Sequence, residues 1–266
     1  MGALEGGSTG AALALVDDTG RRGVLKSHHA RAQAELDEAA QAVAQALSRG
    51  WPAAAWLAWG VAGTVGYVVL DWSEGDPAES LSDGQSDALE RAVEAQAGIG
   101  RGRDRLFDWS GHFERIVHPD SGLHAKCLGF SSATQELSRA LVRACEGHLL
   151  PPLSRDDLVH GDFATDNVLV AGDSVSIIDT QSAGRGTRVI DLTTMGVHCL
   201  AWEQGRDTAV RFLDRAVHVG GFGEAVRCAS GRALIAVCHA IDHYPHYADT
   251  LTSRLRGLAD LLVSRR

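Results

Sequence analysis

The chain has 266 residues, 45% of them hydrophobic, which is enough for one large domain or two modest lobes around a substantial core. Its 34 acidic and 25 basic residues give a net charge of −9, which disfavours nucleic acids and anionic membranes as partners and attracts cationic solutes. The five cysteines form no CxxC pair, and the N-terminus lacks the basic and apolar regions of a signal peptide. We therefore expect a cytoplasmic protein with reduced thiols.

The first 72 residues combine short strand-like runs with a single helix pattern. Asp-Thr-Gly, within DDTGRR, lies between ALALV and GVLK (Gly23–Lys26) and predicts a hairpin. A helix is predicted from Ala30 to Arg49, and it ends before Gly50-Trp51-Pro52. The apolar face of this predicted helix comprises Leu36, Ala39, Ala40, Val43 and Leu47.

Gly50 to Leu70 is an uncharged run of 21 residues, long enough to span a bilayer. Pro52 and the turn-like AGTVG divide the run into two short apolar segments. We therefore predict two strands, Ala54–Trp59 and Gly66–Leu70, and no membrane partner.

A polar linker, DWSEGDPAESLSDG, precedes a second region dominated by helix patterns. The sequence thus predicts an α+β fold with two lobes, residues 1–72 and residues 73–266. Within the second lobe, helices are predicted around Gln85–Gly98, Arg103–Val117, Ala133–Leu149, Val189–Trp202, Asp207–Val219, Ala225–His243 and Ala248–Val263. A hairpin of two short strands, Val168–Val170 and Val175–Asp179, interrupts these helices.

Polar side chains cluster in HGDFATDN (His160–Asn167), directly before that hairpin. Asp162 and Asn167 lie on the loop that enters the hairpin, and Asp179 ends its second strand, so all three side chains can meet at one end of the strands. Hard oxygen ligands of this kind suit Mg²⁺, which uses one or two carboxylates together with water and phosphate oxygens. The cluster therefore indicates phosphoryl transfer.

HGDFATDN, IID (Ile177–Asp179) and GRGTRVIDL (Gly184–Leu192), in this order, resemble the signature of the aminoglycoside phosphotransferase family, whose members are related to protein kinases. The resemblance implies a bilobal protein-kinase-like fold with a small β-rich N-lobe and a larger helical C-lobe. It implies that Asp162 is the catalytic carboxylate and that Asn167 and Asp179 bind Mg²⁺. His160 and Asp191 would support the loop through hydrogen bonds.

The N-terminal segment carries the nucleotide-binding part of the same resemblance. Lys26 would meet the phosphates of ATP or GTP, with Glu38 as its helix partner and Glu35 as the alternative. Val68–Trp72, including Leu70 and Trp72, resembles the hinge whose backbone binds adenine. The glycine-rich loop that approaches the phosphates would comprise Gly6, Gly7, Ser8, Thr9 and Gly10.

The predicted activity is transfer of the γ-phosphate of ATP or GTP to a hydroxyl of a small cationic antibiotic, which would confer resistance. An aminoglycoside and a tuberactinomycin peptide such as capreomycin or viomycin both fit as the substrate. Sugar, choline and homoserine kinases share the signature, and a nucleotide-binding module without catalysis is the alternative of another class. A zinc hydrolase built on His239 and His243, four residues apart, is a further alternative, although the glutamate of HExxH is missing.

Overall fold

The N-lobe of the computed structural model, which describes residues 2–3, 12–29 and 32–264, is an antiparallel sheet of five strands. Their order is β1-β2-β3-β5-β4. The strands are β1 (Gly2–Ala3), β2 (Ala12–Val16), β3 (Arg22–His29), β4 (Trp56–Ala62) and β5 (Val65–Asp71). In the predicted β2–β3 hairpin, Asp17 Oδ1 accepts hydrogen bonds from the backbone N–H groups of Thr19 and Arg21, both at 2.9 Å.

The uncharged run between residues 50 and 70 forms strands β4 and β5, as predicted, with a turn at Gly63 (φ +63°). No helix in the described part of the chain is both long and apolar enough to cross a bilayer. Buried and less buried positions alternate along β5, as expected for a sheet with one covered face. Under this face lies a small core of Ala54, Val68 and Leu70.

Helix α1 (Gln33–Ser48) connects β3 to β4 and buries four of the five residues of its predicted apolar face, whereas Leu47 is half-buried. Its buried side chains do not join the small core under the sheet. Four of them pack into the main core of the C-lobe together with Leu89, Phe163 and Leu192; these are Ala39, Ala42, Val43 and Ala46. The helix thus contacts both lobes, because on its other side Trp59 Nε1 of β4 donates to Asp37 Oδ1 at 2.9 Å.

The C-lobe is mainly helical and confirms the predicted bilobal α+β fold. Its helices are α2 (Asp83–Ala95), α3 (Trp109–Val117), α4 (Gly122–Phe130), α5 (Ser132–Cys145), α6 (Val189–Ala201), α7 (Arg206–His243), α8 (Ala248–Leu255) and α9 (Leu258–Val263). Its strands are β6 (Asp76–Pro77), β7 (Asp157–Val159), β8 (Val168–Ala171), β9 (Ser174–Ile177) and β10 (Gly184–Gly186).

Several helix boundaries differ from the predictions. The helix expected from Arg103 begins only at Trp109, where the side chain of Asp108 caps it by accepting from Gly111 N. Helix α4 was not predicted, and the helix expected over Ala248–Val263 is divided into α8 and α9. By contrast, the two helices predicted on either side of residue 220 are present as the two parts of α7, separated by the non-helical backbone of Gly221.

The strands of the C-lobe position the polar cluster. Strand β7 leads into it, and β8 pairs with β9 as the predicted hairpin, flanked by β6. The hairpin is also attached to the N-lobe, because Ile177 N donates to Pro52 O at 2.7 Å and Ala54 N donates to Ile177 O at 3.4 Å. The hairpin therefore lies where the two lobes meet.

Candidate active site

Asp162 lies on the loop between β7 and the short 3₁₀ turn Thr165–Asn167, and its side chain is 54% exposed. Each of its carboxylate oxygens accepts a hydrogen bond. Asn167 Nδ2 donates to Oδ2 at 3.0 Å, and Arg232 Nη2 donates to Oδ1 at 2.8 Å. Withdrawal from bulk water in the cleft raises the pKa of Asp162, but the charge of Arg232 and these hydrogen bonds outweigh it and lower that pKa below its ordinary value. The structure therefore presents an ionised, oriented carboxylate.

Asp191, near the start of α6, supports the loop around Asp162 through hydrogen bonds. The fully buried carboxylate of Asp191 accepts hydrogen bonds from His160 N (2.8 Å), Gly161 N (3.0 Å) and Gln96 Nε2 (2.9 Å). Burial raises the pKa of Asp191, whereas these three donors favour its ionised form. A buried carboxyl with three donors fixes the backbone that carries Asp162.

The imidazole of His160 connects the loop to the residue before Asp179. Its Nδ1 accepts from Asp162 N at 3.2 Å, so Nε2 is the protonated nitrogen and donates to Ile178 O at 2.7 Å. The structure thus places His160 and Asp191 in hydrogen-bond contact with the loop that carries Asp162, in the supporting positions that the sequence predicts.

Asp179 follows β9 and has a left-handed backbone (φ +65°, ψ 34°), a conformation that aspartate tolerates better than most residues. Its carboxylate forms an ion pair with Lys26 on β3. This contact joins the two lobes across the cleft. Burial lowers the pKa of Lys26, so the ammonium gains from an anionic partner such as this carboxylate or a phosphate.

The structure does not pair Lys26 with Glu38. Glu38 lies on α1 and accepts a hydrogen bond from Arg105 N at 2.9 Å, in the segment before α3. The physical reason is the packing of α1 on the C-lobe core, which directs Glu38 to that segment. Glu35, the alternative partner, lies in the first turn of α1.

The predicted hinge residues lie at the end of β5. Leu70 pairs with Val24 on β3 and with Trp56 on β4, and its side chain is buried in the small core. Trp72 is half-buried, and the guanidinium of Arg22 lies 3.5 Å from the centre of its ring. Gly6, Gly7, Ser8, Thr9 and Gly10, the predicted phosphate loop, lie outside the described residues.

Asn167 and Asp179 fit the requirements of Mg²⁺. Asn167 is 8% exposed and donates from its amide nitrogen to Asp162, so its amide oxygen would be the atom that could bind a metal. The described residues hold no group of three or more His, Cys, Asp or Glu side chains that could bind a metal by themselves. A site completed by nucleotide phosphates and water is the arrangement that Mg²⁺ adopts in phosphoryl-transfer enzymes.

The absence of a metal-binding group of three such side chains among the described residues also argues against the zinc hydrolase. His239 and His243 lie on an exposed face of α7 with ring centres 4.5 Å apart, and no third ligand joins them among the residues that the structure describes. Catalytic zinc sites need three protein ligands. The pair does not form such a site.

Other residues near the loop were missed by the sequence analysis. Arg232 lies in none of the sequence motifs and is one of 23 arginines. Nothing in the sequence therefore distinguishes it from the other arginines. His198 on α6 donates through Nε2 to Thr165 Oγ1 at 2.9 Å, while that hydroxyl donates to Gln204 Oε1 at 2.6 Å. Burial lowers the pKa of His198 to about 4, so it is neutral near pH 7 and suited to this bond.

Comparison with solved structures shows the fold. The crystal structure of aminoglycoside phosphotransferase APH(4)-Ia is 16% identical with a TM-score of 0.69, and the match covers 99% of this chain and 92% of that one. The amicoumacin kinase hAmiN, in complex with AMP-PNP, Ca²⁺ and its antibiotic, is 13% identical (TM-score 0.66; 97% and 87% covered). A putative fructosamine-3-kinase from Haemophilus somnus is also 13% identical (TM-score 0.58; 97% and 90% covered).

No curated protein matches the chain by sequence. The model of the phosphotransferase enzyme family, by contrast, matches residues 3–228 and so includes β3, the loop that carries Asp162, the β8–β9 hairpin and most of α7. Because this match extends over most of the sequence, the chain belongs to the phosphotransferase enzyme family.

Proposed function

We propose that the chain transfers the γ-phosphate of ATP to a hydroxyl of a small basic antibiotic. The observation that carries this proposal is the presence of two contacting pairs, Asp162 with Asn167 and Asp179 with Lys26. Ile178, directly before Asp179, joins the pairs by donating its N–H to Asn167 O at 3.0 Å, so the set reaches from the C-lobe loop to the N-lobe sheet. Phosphoryl transfer needs these groups together: a carboxylate for the acceptor hydroxyl, metal ligands, and a cation for the nucleotide. A nucleotide-binding module without catalysis would not need Asp162 to be held so firmly.

In this proposal Asp162 accepts a hydrogen bond from the acceptor hydroxyl and orients its oxygen towards the γ-phosphorus. Lys26 binds the α- and β-phosphates, the glycine-rich loop over residues 6–10 covers them, and the backbone of Leu70 and Trp72 binds the base. Asn167 and Asp179 would hold Mg²⁺, which when bound neutralises phosphate charge. Lys26 would then exchange its bond to Asp179 for bonds to phosphate oxygens.

The substrate class rests on charge and on the structural neighbours. The net charge of −9 favours a cationic acceptor. APH(4)-Ia has been crystallised with ADP and hygromycin B, and hAmiN has been solved with amicoumacin. Both structural neighbours therefore bind antibiotics. An aminoglycoside or a tuberactinomycin such as capreomycin or viomycin fits this class. All five cysteines are free and buried, in keeping with the cytoplasm as the place of action.

The test is acceptor-dependent release of nucleoside diphosphate, measured with Mg²⁺ and ATP or GTP. The acceptors are aminoglycosides, tuberactinomycins, amino alcohols, and sugars including a fructosamine, and products are identified by mass. We expect a gain of one phosphate on one class of basic antibiotic. Phosphorylation of only a sugar or an amino alcohol would replace the antibiotic proposal, and nucleotide binding without transfer to any acceptor would favour the non-catalytic module.

The assignment of Asp162 is tested by Asp162→Ala. We expect kcat to fall by about 10²–10⁴-fold, the usual contribution of a general base, while the Kd for nucleotide stays close to that of the wild type. Asp173→Ala, which removes an exposed carboxylate from the β8–β9 turn, is the matched control and should leave kcat unchanged. Full activity of Asp162→Ala would remove this residue from its proposed role.

A further inference from the structure

The carboxylate of Asp162 contacts a cation, Arg232, that belongs to none of the sequence motifs. Arg232 lies in the second half of α7, beyond the break at Gly221, and its Nη2 is 2.8 Å from Oδ1 of Asp162. The side chain of Arg232 is 18% exposed, against 54% for that of Asp162. The guanidinium is therefore mostly enclosed, and the carboxylate that it contacts faces the cleft.

Arg232 does not prevent Asp162 from binding an acceptor. A carboxylate oxygen has two lone pairs, so Oδ1 can accept from a hydroxyl while it keeps the bond to Arg232. With two hydrogen bonds of ordinary length on one oxygen, the acceptor hydroxyl lies within about 5 Å of the guanidinium nitrogen. The atoms that react are thus close to Arg232.

The guanidinium also has donors to spare. The arginine side chain carries five N–H donors, and within the described part of the chain the bond to Asp162 is the one hydrogen bond of the Arg232 side chain. The remaining donors belong to the same planar guanidinium as Nη2, which keeps them within a few Å of the carboxylate. During phosphoryl transfer negative charge spreads over the three equatorial oxygens, and a planar guanidinium suits such oxygens.

We propose that Arg232 is a catalytic residue on the acceptor side, which orients Asp162 and donates to an oxygen of the phosphoryl group in transfer. The inference rests on the proposed function. In that step the acceptor oxygen bonds to the γ-phosphorus as the bond from phosphorus to the bridging oxygen breaks. The hydroxyl proton goes to Asp162, and ADP leaves with the electron pair of the broken bond. The phosphates would then meet two cations, Lys26 at the α- and β-phosphates and Arg232 at the transferred group.

The experiment compares Arg232→Gln and Arg232→Lys with the wild type, using an acceptor that the wild-type enzyme phosphorylates. Arg232→Gln should lower kcat by about 10²–10³-fold, the typical effect of losing one donor to a transition-state oxygen. The Kd for nucleotide, measured by calorimetry, and the Tm should stay close to wild-type values. Arg232→Lys should restore part of kcat, because it keeps the charge but loses the planar set of donors.

Arg215→Gln is the matched control. Arg215 lies on the same helix, 31% exposed, and its Nη2 forms an ion pair with Glu94 on α2, also at 2.8 Å. Removing this guanidinium should leave kcat unchanged. A loss of kcat equal to that of Arg232→Gln would show a general effect of ion pairs on α7 and would overturn the proposal.

A double variant separates a role at Asp162 from a role elsewhere. If the two residues act as a unit, adding Arg232→Gln to Asp162→Asn should cost much less than it costs in the wild type. Wild-type kcat in Arg232→Gln, or losses that simply multiply in the double variant, would overturn the proposal. Absence of transfer by the wild type itself would overturn the proposed function, and this inference with it, before any variant is compared.

Discussion

Gly161, between His160 and Asp162, has no room for a side chain. Its φ of +87° is a conformation that residues with a Cβ rarely adopt, and a Cβ there would lie 2.1 Å from the indole of Trp109. Trp109 is itself fixed, since its Nε1 donates to Ser182 O at 3.0 Å. The glycine of this motif is therefore required by the tryptophan that packs against the loop.

Gly161→Ala should destabilise the protein by about 2–5 kcal/mol, the sum of left-handed strain and overpacking, and should lower kcat through the displaced Asp162. Gly172→Ala, in the β8–β9 turn, is the control, because it has a similar φ of +60° but no atom within 4 Å of the new Cβ. It should cost only the strain, about 1–2 kcal/mol. Urea unfolding of both variants measures the difference, and equal losses would show that contact with Trp109 is unimportant.

At the scale of single residues, the sequence predicts what lies in motifs and misses what comes from distant helices. Asp162, Asn167 and Asp179 could be identified because they lie within 18 residues of each other beside one hairpin. Arg232 reaches Asp162 from 70 residues away. The expected pair of Lys26 and Glu38 does not form, because α1 packs on the C-lobe and directs Glu38 to Arg105. This packing depends on the whole fold and has no local signal in the sequence.

The break in α7 is the main feature at the scale of elements. Gly221 has φ +74° and ψ 168°, a region that only glycine occupies readily. Before the break, Arg211 and Arg215 form ion pairs with Glu90 and Glu94 on α2. After it, the helix brings Arg232 to Asp162. The change of direction at Gly221 thus lets the first part of α7 contact α2 and the second part contact Asp162.

Gly221→Ala should destabilise the protein by about 1–3 kcal/mol, although the new methyl group would meet no atom within 4 Å. The cost is purely that of the backbone conformation. Gly257→Ala is the control, because Gly257 already has helical angles (φ −79°, ψ −2°) and open space around it. It should be neutral or stabilise by up to about 1 kcal/mol. Thermal unfolding compares the two, and equal Tm values would contradict the argument.

Helix α4, which the sequence did not predict, lacks an amphipathic pattern. Helix α4 has two glycines in nine residues, and its buried side chains are His124 and Cys127. Nothing in such a segment favours a helix until neighbouring helices pack against it. By contrast, the spacing of apolar residues in α1 and the turn residues between β4 and β5 specify their structures locally, and both predictions are confirmed.

At the scale of the whole molecule, the excess of negative charge should govern the encounter with the acceptor. We expect the KM of a cationic acceptor to rise several-fold when the salt concentration is raised from about 0.01 to 1 M, because the Debye length falls from about 30 to about 3 Å. The KM for ATP, an anion, is the internal comparison and should not rise in parallel. An acceptor KM that stays constant or falls with salt would contradict a cationic substrate.

The two lobes and their order are readable from the sequence, but the cores inside them are not. Among the residues that the structure describes, the sheet of the N-lobe covers a core of three buried apolar residues, whereas α1 shares the large core of the C-lobe. Apolar periodicity reveals which face of a helix is buried. It does not reveal which partner buries it, because that depends on contacts between distant segments.

The packing of α1 has a consequence for control of the enzyme. Protein kinases are switched on and off partly by the position of the helix that follows the lysine-bearing strand. Here that helix cannot move outward without exposing Ala39, Ala42, Val43 and Ala46, at a cost of several kcal/mol, roughly 0.8 kcal/mol for each buried methylene equivalent. We therefore expect α1 to hold the same position with and without nucleotide, so that no swing of this helix is needed to assemble the site.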